Sequence, residues 1–227
     1  MSWGGEVQGV SVLVAIGVSK EGYRDVLGVC LGSREDEGSW TSFLRHLKDR
    51  GLKGVRLVTS DKASGLVGLI GNFFPGAVWQ RCVVHFERNV LKDVPRNKSE
   101  EVGRMLRAIF SQESRESALE KAASVVTRLR EMKLQRAART LEEGIGETLS
   151  YYDFPAAHWR KIRTNNVLER LNREIRRRTN VVGSFPDSEA ALMLVAARLR
   201  YVLSHRWGTK RYMNMESLLE REIESAV

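Results

Sequence analysis

Two acidic residues lie where a metal-dependent site could form. Asp61 closes a strand-like run at residues 55–60, and Glu169 opens a segment, residues 169–178, that carries five arginines in ten residues. Carboxylate oxygens are ligands that hard divalent cations such as Mg²⁺ prefer, and arginine side chains bind phosphate. The pattern is typical of a site that acts on nucleic acid with the help of metal ions.

Each acid also has a structural interpretation. Asp61 follows Ser60 and precedes an apolar stretch, so its carboxylate could cap the N-terminus of a helix. Glu169 and Arg173 are four residues apart, and surface pairs at that spacing contribute only about 0.3–0.5 kcal/mol. Arginines crowd this segment, however, and like charges repel unless an anion such as a backbone phosphate lies among them. The predicted DNA-binding residues are Arg163, Asn166, Arg170, Arg173, Arg176, Arg177 and Arg178.

Cys82 and His85 have the two-residue gap of half a zinc site. Zinc takes four protein ligands in structural sites and three in catalytic ones, and the sequence contains no second CxxC or HxxxH pair. The pattern therefore favours a buried structural cysteine and a hydrogen-bonded histidine that fix a turn from strand to helix.

Composition narrows the class of protein. The 37 Lys and Arg residues outnumber the 28 Asp and Glu residues, which gives a formal net charge of +9 and favours a phosphate-bearing partner. No apolar stretch reaches the roughly 20 residues that cross a bilayer, and the N-terminus lacks the pattern of a signal peptide. Two cysteines make no disulfide framework. We therefore expect a cytoplasmic, nucleoid-associated protein.

Hydrophobic periodicity predicts an α/β chain with a mixed sheet and flanking helices. The predicted elements are a hairpin of residues 10–18 and 23–31, a strand at 55–59, a strand or an extended entry to a helix at 77–84, and helices at 37–50, 62–74, 166–179 and 188–205. Between residues 86 and 152 apolar residues recur every three or four positions, which predicts an all-helical insertion. Within it, Ser117 and Glu120 have the spacing of a helix capping box.

Read together, these segments resemble the mutator-type bacterial insertion-sequence transposases over roughly residues 10–213. The matching motifs are VLVAIGV (12–18), GYR (22–24), GL (51–52), VRLV (55–58), SD (60–61), FPGA (74–77), WQRC (79–82), HF (85–86), HWR (158–160), IRTNN (162–166), LERLNREIRRRT (168–179) and VGSFP (182–186).

The resemblance implies a ribonuclease H-like core with an Asp-Asp-Glu triad and an all-helical insertion before the Glu. It makes Asp61 the second Asp, Glu169 the Glu, and Cys82 with His85 the C-x-x-H signature of the family. By position, it implies a partial core at residues 1–85, the insertion at 86–158, and C-terminal helices, including the Glu-bearing helix, at 159–227.

The same resemblance implies metal-dependent DNA cleavage and strand transfer. Two Mg²⁺ or Mn²⁺ ions, held by the three carboxylates, would flank the scissile phosphate. The implied partners are the transposon ends, the target DNA and further copies of the same chain.

One departure from the family pattern matters. The first Asp of the triad has no counterpart, because residues 1–9 contain no Asp and no strand pattern, while Asp25 and Asp36 are poorly placed substitutes. Asp61 is followed by Lys62 and Ala63 where relatives often have Asp-Ala-His. We therefore expect a truncated transposase that lacks the first core strand and does not cut or join DNA by itself.

Two alternatives stay open. One is a non-catalytic DNA-binding or dimerising fragment that regulates the intact transposase. The other is a ribonuclease H-like nuclease unrelated to transposition.

Overall fold

A computed structural model describes Ser2–Trp3, Glu6–Val7 and residues 11–32, 36–63, 65–182 and 185–218. The strands are β1 (Ser2–Trp3), β2 (Glu6–Val7), β3 (Ser11–Val18), β4 (Arg24–Gly32), β5 (Leu57–Ser60) and β6 (Val78–Arg81). The helices are α1 (Glu37–Asp49), α2 (Val67–Phe73), α3 (Val83–Leu91), α4 (Ser99–Ile109), α5 (Arg115–Glu131), α6 (Gln135–Gly144), α7 (Ala156–Ile162), α8 (Asn166–Val182) and α9 (Ser188–Val202). Short 3-10 turns lie at Ile145–Thr148 and Ser150–Asp153, and a kinked helical turn lies at Leu203–Trp207.

These elements form two compact units. Unit 1 contains residues 1–55, 63–76 and 166–227, and unit 2 contains residues 56–62 and 77–165. Both units are therefore built from segments that are distant in the sequence. No helix in the described part of the chain is long and apolar enough to span a membrane.

Unit 1 is organised around the antiparallel hairpin of β3 and β4, whose register shifts once between Ala15 and Ile16. Helices α8 and α9 pack on this hairpin. Their shared core contains the buried residues Val14, Leu171, Ile175, Val195 and Leu199. The four-residue spacing of Leu171 and Ile175, and of Val195 and Leu199, places one apolar stripe of each helix in this core.

Helix α1 begins at a side-chain cap, because Asp36 accepts a hydrogen bond from the backbone N–H of Ser39 at 2.8 Å. It packs against β4 where that strand carries Gly28. A Cβ atom at Gly28 would lie 2.7 Å from Leu47 Cδ2, so the close approach of helix and strand needs a residue without a side chain.

Unit 2 combines the parallel pair β5–β6 with a helical layer of α3 to α7. Its core contains twenty buried residues and is dominated by α3 to α6; the fully buried members include Phe86, Leu106, Ile109, Leu129, Leu141 and Tyr151. The buried amide of Gln80 on β6 donates to Thr148 O at 2.8 Å and accepts from Tyr151 N at 2.9 Å. It thereby joins the strand pair to the 3-10 turns that end the helical layer.

The mixed α/β class is confirmed, whereas the ribonuclease H-like sheet stays a prediction. The described strands pair as three two-stranded sheets, antiparallel for β1–β2 and β3–β4 and parallel for β5–β6. The predicted hairpin start at Val10 and the motif residues Gly183 and Ser184 lie outside the described residues. The proposed boundaries at residues 85 and 158 also stay predictions.

Several local expectations were wrong in detail. Helix α2 begins at Val67 rather than at residue 62, and its cap position, Leu66, has no side-chain cap. At Gly65 the chain runs so close to Asp36 that a Cβ would lie 2.6 Å from the Asp36 carbonyl carbon, and the helix begins only after this contact. Asp61 is therefore not a helix cap. The prediction for residues 77–84 is confirmed in kind, since the strand β6 ends at Arg81 and leads into α3 from Val83.

The predicted capping box of α5 was also displaced. Ser114, not Ser117, is the cap residue, and its hydroxyl accepts from Ser117 N at 3.1 Å. Residues 115–117 lie within the first helical turn and extend the helix toward its N-terminus.

We expect Leu106→Ala to lower the free energy of unfolding by about 2–5 kcal/mol, because it leaves a cavity in the fully buried core of unit 2. The matched control is Leu119→Ala in α5, whose side chain is 42% exposed and whose loss should change stability by only about 0.5 kcal/mol. Urea unfolding followed by circular dichroism measures both. Equal destabilisation by the two variants would contradict this assignment of the core.

Candidate active site

Asp61 lies directly after β5, at the end of the parallel strand pair of unit 2. Its side chain is 47% exposed, so the carboxylate is accessible to solvent. The turn is fixed by the Ser60 hydroxyl, which donates to Asp61 O at 2.8 Å and accepts from Trp79 Nε1 at 2.9 Å. The carboxylate oxygen Oδ1 lies 2.5 Å from His85 Nδ1. Strand pairing and these contacts therefore hold an exposed acid in a fixed position.

Cys82 occupies the junction between β6 and α3, where it is fully buried. Its backbone N–H donates to Ser60 O at 2.8 Å, which continues the strand pairing by one residue. The thiol donates to Asn165 Oδ1 at 3.0 Å, and Asn165 N donates back to Sγ at 3.4 Å. Burial raises the pKa of this thiol, while the backbone N–H groups of Asn165, His85 and Val84 oppose the rise.

The structure brings Asp61, Cys82 and His85 into one cluster. One potential ligand atom of each, a carboxylate oxygen, the thiol sulfur and an imidazole nitrogen, lies within 4.8 Å of the other two. Cys82 and His85 are brought together by the first turn of α3, and Asp61 reaches them because β5 and β6 are adjacent and parallel, with Ser60 opposite Arg81. The sequence spacing revealed the Cys-His pair but not its carboxylate neighbour.

Asn165 is the residue that sequence reasoning missed. Besides its two contacts with Cys82, its Nδ2 lies 3.4 Å from Asp61 Oδ1. One amide thus contacts both the acid and the thiol, although it is distant from both in sequence. The only signal for it was its place in the IRTNN motif.

Lys62, which follows Asp61, has a partner of its own in unit 2. Its Nζ lies 2.6 Å from Glu147 Oε1, and Arg81 Nη1 lies 2.9 Å from Glu147 Oε2. Both positive charges next to the Asp61 turn are thus paired with one carboxylate, that of Glu147.

Glu169 belongs to unit 1 and lies in the first turn of α8, where it is partly buried. Asn166, Arg170, Arg173 and Arg177 recur every three or four residues on the face opposite Leu171 and are all exposed. We call these four residues the α8 stripe. Arg176 and Arg178, which flank it, are exposed as well.

An anion within the chain already lies among these arginines. Glu174 forms ion pairs with Arg177 at 2.9 Å, with Arg178 at 3.6 Å and with Arg198 of α9. Hydrogen bonding from Arg177, aided by Arg198, lowers the pKa of Glu174 to about 2. The crowding of arginines on α8 therefore does not by itself require a phosphate, because Glu174 balances part of their charge.

Arg163 differs from the other predicted DNA-binding residues. It belongs to unit 2, is half-buried, and its guanidinium donates to Phe110 O at 2.6 Å. Its backbone carbonyl accepts from Val83 N at 3.0 Å. These contacts hold Arg163 within the helical layer, and the other six predicted residues all lie on α8.

Comparison with known proteins places this α/β chain among the insertion-sequence transposases. It is 42% identical over 214 residues to the transposase of insertion sequence IS1081 from Mycobacterium tuberculosis, covering 94% of this chain and 51% of the relative. It is 39% identical over 218 residues to the ISRM5 transposase of Rhizobium meliloti, covering 96% and 54%. The IS256 transposase of Tn4001 from Staphylococcus aureus is 34% identical over 206 residues, covering 89% and 52%.

The particular family follows from a match to its sequence model. The model described as "Transposase, Mutator family" matches residues 3–207, and the chain belongs to that family. The resemblance seen in the motifs is thereby confirmed. The chain spans about half the length of the curated relatives it matches.

We expect Glu174→Gln to destabilise the protein at neutral pH and to do so less as the pH falls. The native pKa of about 2 lies below the ordinary glutamate value of 4.5, so the stability that the charged form contributes is fully present above 4.5 and is lost toward about 2. Urea unfolding of both proteins from pH 7 to pH 3 measures the difference. In an Arg177→Gln background the pH dependence of this difference should shrink, and an undiminished one would contradict the pairing.

Proposed function

We propose that this chain contains the catalytic region of a DDE-type DNA transposase, which cleaves and joins DNA strands with divalent metal ions on a ribonuclease H-like core. The observation that carries the proposal is the position of Asp61, an accessible carboxylate at the end of a parallel strand, within a chain of the Mutator family. The transposase names of the relatives support DNA as the substrate.

Asp61 and Glu169 are the residues that would hold the metal ions. Both offer the oxygen ligands that Mg²⁺ and Mn²⁺ prefer, and neither is fully buried. When bound, such ions activate the attacking oxygen and stabilise the leaving oxygen of the phosphodiester. The chain's own contribution at Asp61 is orientation, since His85, Asn165 and the Ser60 turn hold the carboxylate at the end of β5.

The first carboxylate of the triad has no counterpart among these 227 residues. We propose that the polypeptide with this sequence, used alone, binds a divalent ion but performs no strand transfer. The two-metal reaction needs ligands for both ions, and one of the three carboxylates that would hold them is missing from this sequence.

Titration of the purified chain with Mn²⁺, followed by the paramagnetic resonance signal of the free ion, tests the metal site. We expect Asp61→Asn and Glu169→Gln each to weaken binding about 10-fold or more, because each removes a carboxylate ligand. The matched control is Glu189→Gln, an exposed glutamate in the first turn of α9. Unchanged affinity in both site variants would contradict the proposed ligands.

The same preparations, incubated with a DNA duplex that carries the ends of a related insertion sequence, should give no cleaved or joined product with Mg²⁺ or Mn²⁺. Suppose that the unmodified chain performs strand transfer and that Asp61→Asn abolishes it. The first carboxylate of the triad would then not be needed, and the role of Asp61 would be supported.

The α8 stripe supports a second element of the proposal, DNA binding without sequence preference. Its arginines are exposed and lie on one helix face, which suits contacts to successive backbone phosphates. A fragment that binds DNA in this way without cutting it would match the alternative of a regulatory, non-catalytic protein. Assembly of several copies on the transposon ends stays a prediction.

We expect Arg170→Ala/Arg173→Ala to flatten the slope of log affinity against log salt concentration for duplex DNA by about 1.8, since each lost phosphate contact contributes about 0.9. The variant Arg136→Ala/Arg139→Ala removes the same charge from the exposed surface of α6 and serves as the control. Fluorescence anisotropy at several salt concentrations measures the slopes. An equal change in both variants would mean that net charge, not the α8 stripe, determines binding.

A further inference from the structure

We propose that Asp61, Cys82 and His85 form a binding site for a transition-metal ion of the zinc class, in addition to any role of Asp61 with Mg²⁺. The three residues combine one carboxylate, one thiol and one imidazole, which are the ligand types found in zinc sites with three protein ligands. The inference does not depend on the proposed function, because it concerns a different donor set and a different class of ion.

The geometry requires only small adjustments. The three candidate ligand atoms lie within 4.8 Å of one another, and tetrahedral zinc with bonds of about 2.0–2.3 Å places its ligands roughly 3.3–3.8 Å apart. Rotation of the Asp61 carboxylate, which is half-exposed, and of the His85 ring, which is about one quarter exposed, can close the difference. The backbone does not need to move, since Cys82 and His85 already project from the same helical turn.

The surroundings of Cys82 suit a metal-bound thiolate. Its sulfur accepts a hydrogen bond from the backbone N–H of Asn165 at 3.4 Å and lies beside the N–H groups of Val84 and His85 at the start of α3. Backbone N–H groups directed at sulfur stabilise its negative charge.

Asn165 also resembles the outer-shell residues that orient metal ligands. Its side-chain oxygen accepts from the thiol, and its amide nitrogen lies 3.4 Å from Asp61 Oδ1. Residues in such positions fix ligand orientation and commonly alter metal affinity 10–100-fold when they are changed.

Metal binding would exchange a proton for the ion. Bonds from the ion to sulfur, to a ring nitrogen of His85 that carries no proton and to a carboxylate oxygen would form as the Cys82 S–H bond breaks. The thiol proton passes to the buffer, and no oxidant or reductant takes part. A thiolate, a carboxylate and a neutral imidazole then neutralise the 2+ charge, and a fourth position stays open to water because Asp61 is accessible to solvent.

The donor set distinguishes this ion from the catalytic one. Mg²⁺ binds oxygen ligands almost exclusively, whereas sulfur and imidazole ligands select zinc-class ions. The two classes of ion would compete for a single carboxylate, that of Asp61.

Binding of Zn²⁺ to the chelator-treated 227-residue chain, measured by competition with a chromophoric zinc indicator, tests the site. We expect one Zn²⁺ per chain and an affinity that falls at least about tenfold in Cys82→Ser, because a hydroxyl replaces the thiolate ligand. The matched control is Cys30→Ser, which alters the only other cysteine and lies in unit 1. Co²⁺ in place of Zn²⁺ should give a thiolate charge-transfer band that is lost in Cys82→Ser and kept in Cys30→Ser.

X-ray absorption of the unaltered Zn²⁺-loaded chain provides a test that does not rely on any variant folding. One sulfur neighbour at about 2.3 Å with nitrogen or oxygen neighbours at about 2.0–2.1 Å is the expected result. Only nitrogen and oxygen neighbours, no stoichiometric Zn²⁺ binding, or equal affinity in Cys82→Ser would each overturn the proposal and leave His85 as a residue that positions Asp61.

The variant Glu169→Gln separates this proposal from the proposed function. It should weaken Mn²⁺ binding and leave Zn²⁺ binding unchanged, whereas Cys82→Ser should do the reverse. Failure of one proposal is therefore visible while the other still holds.

Discussion

The position of Asp61 depends on how the helical layer of unit 2 closes on the parallel strand pair. Thr59 Oγ1 donates to Ile162 O at 2.6 Å, Val83 N donates to Arg163 O at 3.0 Å, and the Cys82 thiol donates to Asn165. These three contacts join the strand ends to the segment that leaves the helical layer, across 103 residues in the first case. Burial of more than a dozen apolar side chains in α3 to α6 supplies the stabilisation that such a distant closure requires.

The carboxylate of Asp61 therefore has surroundings that suit two different kinds of metal ion. Its side chain is about half-exposed to solvent, and its neighbours include an imidazole and a thiol. The positive charges of Lys62 and Arg81, which are near Asp61, are balanced by Glu147, because both side chains form ion pairs with its carboxylate. On α8, Glu174 has the same function for Arg177, Arg178 and Arg198. Acidic residues within the chain therefore balance part of its positive charge. The arginines of the α8 stripe remain exposed.

Sequence patterns predicted the elements whose stability is local. The hairpin of β3 and β4, helix α1, and the amphipathic helices α8 and α9 follow from residue spacing within each segment. The Asp61 cluster could not be predicted in this way, because Asn165 and Asp61 are 104 residues apart and meet only through tertiary packing. The interpretation of Asp61 as a helix cap was wrong because α2 begins only at Val67, with Leu66 at its cap position. Glu174 was visible in the sequence, but its partner Arg198 lies on another helix.

The discontinuity of unit 2 has a consequence for synthesis on the ribosome. Residues 56–62 leave the exit tunnel early, but the segment that holds them in place, ending at Asn165, follows about a hundred residues later. At typical elongation rates of about 5–20 residues per second, β5 is synthesised several seconds before the segment that ends at Asn165. A nascent chain interrupted anywhere in the helical layer therefore contains Asp61 without its hydrogen-bonded neighbour Asn165. The acid acquires its fixed environment only when almost the whole of this unit has been translated.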